Sequence, residues 1–444
     1  MPIKFFAKGR KEAEPNSTFY LLKYRPNPQM TPTTFWTAVE NNRNHFGNAY
    51  VWIQTEFNKM KYGGDYKIKN LWVMPSNDVT VIVDDKGIFG GKGKLYYWYT
   101  DKYSGESYFF PEYEVMHFKT STTFDGITGE PTVEMINAGV AAFHENSCDY
   151  VIGIGGGSAL DSAKAIAAMS ALGGNIADYM GRDIDGEFPH MVLIPTTAGT
   201  GSEATKFTII TDTEKNIKML LRGDKLLPDL AVLDYSYTIS SPKSVTAATG
   251  MDALTHAIES YTSRKANPIT DTFALSALKR IFANLPIAYS DPGNEYAREQ
   301  MLIAAYEAGV CINNASVTIV HGMSRPIGAL FHVPHGISNA MLDIKCLGFA
   351  AQGAPGKFAA AARAVGASDS GDDATAARDF LTALGNLCRE VEIPTLMEYG
   401  IDREKFFSVM DKMADDALAS GSPANTIREV TKQDILDIYA SLWD

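Results

Sequence analysis

Residues 250–259, with the sequence GMDALTHAIE, decide how the second half of this chain is organised. The Ala, Leu, Ile and Met residues predict a helix, in which Asp252 and His256 stand four residues apart. Side chains at this spacing lie on the same side of a helix. The stretch therefore presents a carboxylate and an imidazole next to each other.

Two further histidines follow along the chain, His321 in the segment VHGMSRP and His335 in the segment VPHG. Together with the first pair, they can converge on one divalent cation. Three imidazoles and one carboxylate form a ligand set that suits iron(II) or zinc. Each residue alone is more often a cap, a surface group or a hydrogen-bonded core residue, so the hypothesis depends on the combination.

A glycine-rich turn, IGGGSALD over residues 154–161, lies between a predicted strand and a predicted helix. Bare backbone N–H groups and the positive end of a helix can hold a pyrophosphate there. The alternative is a plain tight turn, because Ser158 stands where the dinucleotide fingerprint has its last glycine. The candidate cofactor-binding residues of this turn are Gly155, Gly156, Gly157, Ser158 and Asp161.

A second polar loop, PTTAGTGSE over residues 195–203, follows the next predicted strand. Its hydroxyl groups and glycines suit close contact with ribose, phosphate or adenine. The alternative interpretation is a helix cap with a capping pair.

The motifs GMDALTHAIESY, HGMSRPIGALFHVPHG, IGGGSALDSAK and PTTAGTGSE resemble those of the iron-containing (group III) alcohol dehydrogenases over about residues 129–444. The resemblance implies a metal-dependent, NAD(P)-linked alcohol dehydrogenase or aldehyde reductase with Fe²⁺ or Zn²⁺ and a small alcohol or aldehyde substrate. It implies that the metal ligands, which also form the catalytic centre, are Asp252, His256, His321 and His335. It implies further cofactor contacts from Thr196, Thr197, Thr200 and Lys218. The motifs favour this branch over enzymes like dehydroquinate synthase or glycerol-phosphate dehydrogenase.

Two residues near the histidines need separate interpretations. His332 lies three residues before His335, and we predict a structural or supporting role for it. At Arg325 many members of the family carry another histidine near the substrate. Arginine does not titrate usefully near neutral pH and favours an anionic or strongly polar group.

Residues 1–124 differ from the rest because they are rich in Tyr, Phe, Trp, Asn and Lys. The pattern predicts a helix over residues 33–46, ended by Gly47. Short aromatic or β-branched runs then predict one small antiparallel sheet. These runs cover residues 48–53, 70–74, 79–83, 94–99 and 107–110.

This first segment has a resemblance of its own. YRPNPQMTPTTFWTAVENNRNHFGNAYVWI, LWVMPSNDVTV and EYEVMHFKTSTTFDGITG are similar to part of a tailed-phage portal protein. The channel-lining and crown regions have no counterpart, so the resemblance does not imply a working portal ring.

After the turn-rich bridge near residues 124–131, the pattern predicts β-α-β order. A helix is predicted over residues 132–146, and from Ser244 onwards helices are predicted to the end. Between them we predict a buried strand over residues 149–154, a helix over 158–170, a strand over 190–194, a hairpin over 206–220 turning at 213–216, and a strand over 230–233.

The predicted fold class is therefore multidomain. An α+β N-terminal module spans residues 1–124, a partial α/β dinucleotide-binding domain spans residues 125–239, and an all-α metal-binding domain spans residues 240–444. In the resembled family, the chain begins with a strand and a helix that enter the same sheet as the strand predicted here over residues 149–154. No equivalent precedes Thr132, so we expect this sheet to lose neighbours on one side and cofactor binding to be impaired. The rival hypothesis is a non-catalytic chimera with a portal-derived structural module.

Composition narrows the class of partner. With 444 residues the chain is long enough for two or three domains, and its net charge of −12 argues against general affinity for nucleic acid or anionic membrane. The four cysteines show no metal-type spacing and are predicted to be free, buried thiols. No signal peptide or long apolar stretch is recognised, which predicts a cytoplasmic protein. The sequence is compatible with a homo-oligomer.

Overall fold

The computed structural model describes residues 6–7, 11–12, 21, 24–60, 63–84, 86–89, 94–119, 123–215 and 217–443. The chain divides into two compact units, Met1–Thr123 and Phe124–Asp444. The first unit begins with two short paired strands, β1 (Phe6–Ala7) and β2 (Lys11–Glu12).

The first unit has one long helix, α1 (Pro32–Phe46), where the sequence predicts one. Thr31 caps its start by accepting a hydrogen bond from the Thr34 backbone N–H, and Pro32 occupies the first turn, which needs no N–H donor. Gly47 ends the helix with a left-handed φ of 73°. The predicted helix and its glycine stop are confirmed.

The six longer strands described in the first unit form two sheets, so the prediction of a single sheet is wrong. They are β3 (Asn48–Met60), β4 (Gly63–Met74), β5 (Val79–Val83), β6 (Leu95–Thr100), β7 (Ser107–Pro111) and β8 (Val115–Lys119), of which β8 was not predicted. One antiparallel sheet has the order β4-β3-β8 and the other has the order β5-β6-β7. Alternation along β3 explains the division: Ala49 and Val51 belong to the core against α1, whereas Tyr50 belongs to a second core with Tyr97 and Phe110.

The second unit begins with a β-α-β arrangement, as predicted. The elements are α2 (Val133–Glu145), β9 (Tyr150–Gly155), α3 (Gly157–Leu172), β10 (His190–Pro195) and the short β13 (Leu230–Ala231). The three strands form a parallel sheet of order β13-β10-β9. Leu160 and Ala163 of α3 cover one face by packing on Leu193 and Val151.

The first strand of this sheet is not buried as predicted. Tyr150, Ile152 and Ile154 are 47%, 47% and 53% exposed. These three residues alternate along β9 and so lie on one face of the sheet, opposite the face that Leu160 and Ala163 of α3 cover. The strand is also at an edge, since in the described part of the chain it pairs only with β10. Its apolar residues therefore lack the second layer that buries a strand in a complete α/β domain.

A hairpin of β11 (Phe207–Asp212) and β12 (Ile217–Arg222) confirms the prediction for residues 206–220, although Asn216 of the predicted turn lies outside the described residues. The predicted strand over 230–233 is shorter, because Asp234 already caps a 3₁₀ helix, Tyr235–Thr238.

Helices build the remainder of the second unit, as predicted. They are α4 (Lys243–Tyr261), α5 (Pro268–Ser290), α6 (Glu295–Ala315), α7 (Ile319–Phe331), α8 (His335–Ala351), α9 (Pro355–Ala364), α10 (Asp373–Glu390), α11 (Arg403–Ala419) and α12 (Lys432–Ser441). They share one apolar core. The cysteines are free, but Cys148 is only partly buried. In the described ranges no single helix is long and apolar enough to cross a membrane. The bent pair of α6 and α7 together reaches the length and apolar composition of a membrane span.

Candidate active site

Four side chains from three helices meet inside the helical part of the second unit. Asp252 and His256 come from α4, His321 from α7, and His335 is the first residue of α8. One nitrogen or oxygen from each lies within 4.8 Å of the others. The structure thus brings together the four residues that the sequence singled out.

The spacing of these atoms fits a metal ion. The Nε2 atoms of His256, His321 and His335 lie 3.8, 3.8 and 3.6 Å from Oδ1 of Asp252. These three distances are close to the edge of about 3.3–3.6 Å in a regular tetrahedron with metal–ligand bonds of about 2.0–2.2 Å, and all four donor atoms lie within 4.8 Å of one another. The donor set therefore fits iron(II) or zinc.

One side of the cluster is open. The side chains of Asp252, His256 and His321 are 4%, 6% and 4% exposed, whereas that of His335 is 48% exposed. A substrate can therefore approach the cluster past His335. Structural sites with four protein ligands are closed, whereas here one of the four ligands borders solvent.

Glu259, on the same helix as Asp252, was not assigned a role from the sequence. Its Oε1 accepts hydrogen bonds from Thr318 Oγ1 and the Val320 backbone N–H, and its Oε2 lies 2.6 Å from Nδ1 of His321. Because a carboxylate only accepts, Nδ1 carries the proton and Nε2 keeps its lone pair for a metal. The available signal was spacing: Glu259 lies seven residues, about two turns, after Asp252.

Asn339 is the second residue that the sequence reasoning missed. Its Nδ2 lies 2.8 Å from Oδ1 of Asp252, 3.2 Å from Nε2 of His321 and 3.3 Å from Nε2 of His335. Its Oδ1 is buried without a hydrogen-bond partner in the described structure. Asn339 lies four residues after His335, which places both on one side of α8.

Burial favours the neutral, metal-binding form of two of the imidazoles, those of His321 and His335. It lowers the pKa of His321 well below its usual value, and it lowers the pKa of His335. Burial alone would raise the pKa of Asp252, but the three imidazoles and Asn339 outweigh it and lower that pKa. The cluster therefore offers a carboxylate beside His321 and His335, whose lowered pKa values favour neutral nitrogen donors.

The glycine-rich turn connects β9 to α3. Gly155 has a φ of +154°, which favours glycine. A Cβ added to Gly157 would lie 2.7 Å from Cγ2 of Thr200. The turn that contains Gly156 and Ser158 therefore packs directly on the threonine loop.

The threonine loop, residues 195–203, also packs closely on α6, one of the helices of the helical part of the second unit. Gly201 has a φ of +60°, and a Cβ there would lie 2.6 Å from Cα of Gly309 on α6. Thr196, Thr197 and Thr200 lie on this loop at the carboxyl end of β10. Ligands of open α/β sheets bind at this end of the strands.

Asp161 ties these segments together inside the protein. Its carboxylate accepts hydrogen bonds from Ser202 Oγ and the Ile209 backbone N–H. Lys164, fully buried one turn later, donates to the carbonyl oxygens of Thr205 and Phe207. These contacts join α3 to the threonine loop and to the hairpin.

Lys218 lies on β12 and forms an ion pair with Glu130, with Nζ and Oε1 2.5 Å apart. Burial is the main cause of the lowered pKa of His335, and the charge of Lys218 adds to it. Lys218 therefore lies within electrostatic reach of the open side of the cluster. His332 ends α7 in a left-handed conformation, with a φ of 55°, and is not among the four clustered residues.

A cluster of potential metal ligands, together with a glycine-rich turn and a threonine loop of the kind that binds nucleotides, is typical of one class of protein. This class is the metal-dependent oxidoreductases that use a nucleotide cofactor. Family models specify it further. "Fe-containing alcohol dehydrogenase family, C-terminal" matches residues 246–443, and "Iron-containing alcohol dehydrogenase" matches residues 113–235. The chain belongs to the iron-containing alcohol dehydrogenase family.

Known proteins agree with this assignment. The chain is 36% identical over 312 residues to the NAD-dependent methanol dehydrogenase of Bacillus methanolicus, covering 70% of this chain and 81% of that protein. It resembles the structure of a 1,3-propanediol oxidoreductase with a TM-score of 0.70 and 34% identity over 73% of this chain and 84% of the other. It resembles the sulfoacetaldehyde reductase of Bifidobacterium kashiwanohense in complex with NAD⁺ with a TM-score of 0.67 and 29% identity, at the same coverage.

The N-terminal part matches another family. The model described as "Phage portal protein" matches residues 1–145. The predicted similarity to part of a portal protein is confirmed. The match overlaps that of the dehydrogenase model, which begins at residue 113.

Proposed function

We propose that the second unit interconverts a small alcohol and its aldehyde with NAD(P) as the hydride carrier. The observation that carries this proposal is the convergence of Asp252, His256, His321 and His335 on a cluster with one open side. A divalent iron or zinc ion held by these residues would supply a Lewis acid for the oxygen of the substrate. The nicotinamide would take a hydride from the alcohol carbon, with one proton released, or return it to the carbonyl carbon.

The chain's own residues prepare this chemistry. Glu259 fixes which nitrogen of His321 carries the proton, and Asn339 holds the carboxylate of Asp252 in place. The open side beside His335 admits the substrate. Exclusion of water by the buried ligands strengthens every charge interaction at the centre.

We propose a division of labour within the chain. Residues 125–239 bind the dinucleotide, and residues 240–444 bind the metal. The proposed cofactor contacts are Gly155, Gly156, Gly157, Ser158, Thr196, Thr197, Thr200 and Lys218, whereas Asp161, whose carboxylate is bound by Ser202 and Ile209, supports the loops from inside. Support comes from the direct packing of the glycine turn on the threonine loop.

We further propose that cofactor binding is impaired. The exposed edge strand β9 supports this, because family members have further strands that enter the same sheet. The two loops can still hold a pyrophosphate, but contacts from the missing elements to the adenosine ribose are lost.

The match of residues 1–145 to a portal model favours a second candidate function, a non-catalytic chimera in which the first unit is a structural module. We propose that this unit binds no DNA, because only part of a portal subunit is present and the chain as a whole carries a net charge of −12, although residues 1–123 themselves carry 16 Lys and Arg against 12 Asp and Glu. A shift of duplex DNA by low micromolar protein in about 150 mM salt would contradict this. We also propose a cytoplasmic location without a membrane partner, and a homo-oligomer is compatible with the uncovered sheet.

Metal analysis tests the proposed function. Elemental analysis of the purified protein should give about one divalent ion per chain. His335→Ala should lose the ion, because one of four ligands is removed. His332→Ala is the matched control, since His332 lies three residues away and outside the cluster. Equal metal contents in all three proteins would refute the site, and a metal-loaded protein without NADH-dependent aldehyde reduction would favour the chimera.

A further inference from the structure

Arg325 stands one turn from a proposed metal ligand. It lies on α7 (Ile319–Phe331), four residues after His321. Side chains at this spacing are neighbours on one side of a helix, with Cβ atoms about 5–6 Å apart. Arg325 is partly buried, so its charge is screened less than that of a surface arginine.

The guanidinium is held in place but not neutralised. Its Nη1 donates to Oγ of the buried Ser422 at 3.2 Å. In the described part of the chain, no carboxylate oxygen lies within the 4.0 Å of an ion pair with Arg325. A guanidinium has five N–H donors, so several stay available to a ligand.

Glu259, the acid whose charge acts on Arg325, already accepts hydrogen bonds from other groups. Glu259 is the charge that opposes the effect of burial on the pKa of Arg325. Both oxygens of Glu259 are bound by other groups, namely Thr318, Val320 and His321. The positive charge of Arg325 therefore has no dedicated counter-ion beside the cluster.

The spacing of Arg325 on α7 puts it beside His321, and the Nε2 atoms of His321 and His335 lie 3.8 and 3.6 Å from the same oxygen of Asp252. His335 is the exposed ligand. A substrate that enters past His335 therefore meets a positive charge.

We propose that Arg325 makes this site select an aldehyde or alcohol that carries an anionic group, a carboxylate or a sulfonate, at the end away from the reacting carbon. The planar fork of a guanidinium matches the paired oxygens of such a group. This inference rests on the proposed function, because it assumes that the reacting oxygen lies at the cation site. For a carboxylate substrate, hydride from NADH adds to the carbonyl carbon, one proton from solvent adds to its oxygen, and the products are the hydroxy acid and NAD⁺.

Matched substrates test the selection. The metal-loaded full chain would be assayed with NADH and either 4-oxobutanoate or butanal, which share a four-carbon chain and differ in the terminal carboxylate. Wild type should show the higher kcat/KM with 4-oxobutanoate. Arg325→Gln should lower that value about 10- to 100-fold, mainly through KM, and change the value for butanal by less than about threefold. Arg325→Lys should recover part of the loss, because it restores the charge without the fork.

A binding measurement separates this inference from the proposed function. Butanoate should bind the metal-loaded wild-type protein in calorimetry more tightly than butanamide, and Arg325→Gln should abolish the difference. A wild type that reduces butanal as well as 4-oxobutanoate, or an Arg325→Gln loss that is equal for both, would overturn the role of Arg325 and leave the dehydrogenase intact. Absence of metal binding and of turnover with both substrates would refute the proposed function itself.

Discussion

The substitution Glu259→Gln should weaken metal binding although Glu259 is not a proposed ligand. The carboxylate is fully buried and accepts three hydrogen bonds, one of them from Nδ1 of His321 at 2.6 Å. Glutamine has nearly the same shape, but it brings an amide that donates. If the amide faces His321, the imidazole must move its proton to Nε2, the nitrogen that faces the cluster.

The size of the effect follows from this contact. A hydrogen bond between a carboxylate and an imidazole contributes about 1.5–3 kcal/mol in a buried site. Loss of such a partner behind a metal ligand typically lowers metal affinity about 10- to 100-fold, or about 1.4–2.7 kcal/mol. We expect Glu259→Gln to fall in this range and to retain its helical content.

Competition with a chelator of known affinity would measure the dissociation constant of the metal in each protein. Glu307→Gln is the matched control, because Glu307 is a mostly buried glutamate on α6 that pairs with Arg280 and lies outside the cluster. It should leave metal affinity unchanged. Equal affinities of wild type and a folded Glu259→Gln would refute the role assigned to the Glu259–His321 contact.

The remaining predictions concern the nucleotide loops and one buried acid. NADH should bind metal-loaded wild type weakly in calorimetry, because each missing ribose contact removes about 1–3 kcal/mol; a micromolar dissociation constant with ordinary turnover would contradict this. Gly157→Ala should weaken NADH binding further, because its Cβ would lie 2.7 Å from Cγ2 of Thr200, whereas Gly129→Ala, with open space around it, should not; equal losses would exclude the packing argument. Burial raises the pKa of Glu203 from 4.5 to about 7, so the folded protein binds a proton in this window and the free energy of unfolding falls as pH rises through it. Glu203→Gln should remove about 3 kcal/mol of that fall, and thermal unfolding profiles of wild type and variant that stay parallel from pH 4.5 to 7 would argue against it.

Local patterns predicted the elements of both units well. The helix before Gly47, the strand at the start of the parallel sheet and the hairpin after Lys206 are all present. Their signals are caps, turns and alternation, which act over a few residues. Arrangement was less accessible: the runs predicted as one sheet belong to two, because the two sides of β3 serve different cores.

Burial was the clearest failure of local reasoning. The residues of β9 are apolar and predict a buried strand, but Ile152 and Ile154 are about half exposed. Burial depends on which elements cover a strand, and those elements can be missing without any change in the strand's own sequence. The absence before Thr132 of the strand and helix that enter this sheet in the resembled family was the observation that pointed to this outcome.

For the metal cluster, the sequence by itself determined one pair, since Asp252 and His256 must lie on the same side of any helix that contains both. The meeting of that pair with His321 and His335 was decided by the packing of α4, α7 and α8, which the family resemblance implied and local spacing does not. Glu259 and Asn339 acquire their roles only in the tertiary structure. Their contacts cross between helices, and hydrogen bonds between residues distant in the sequence form only when the packed core holds the helices in register.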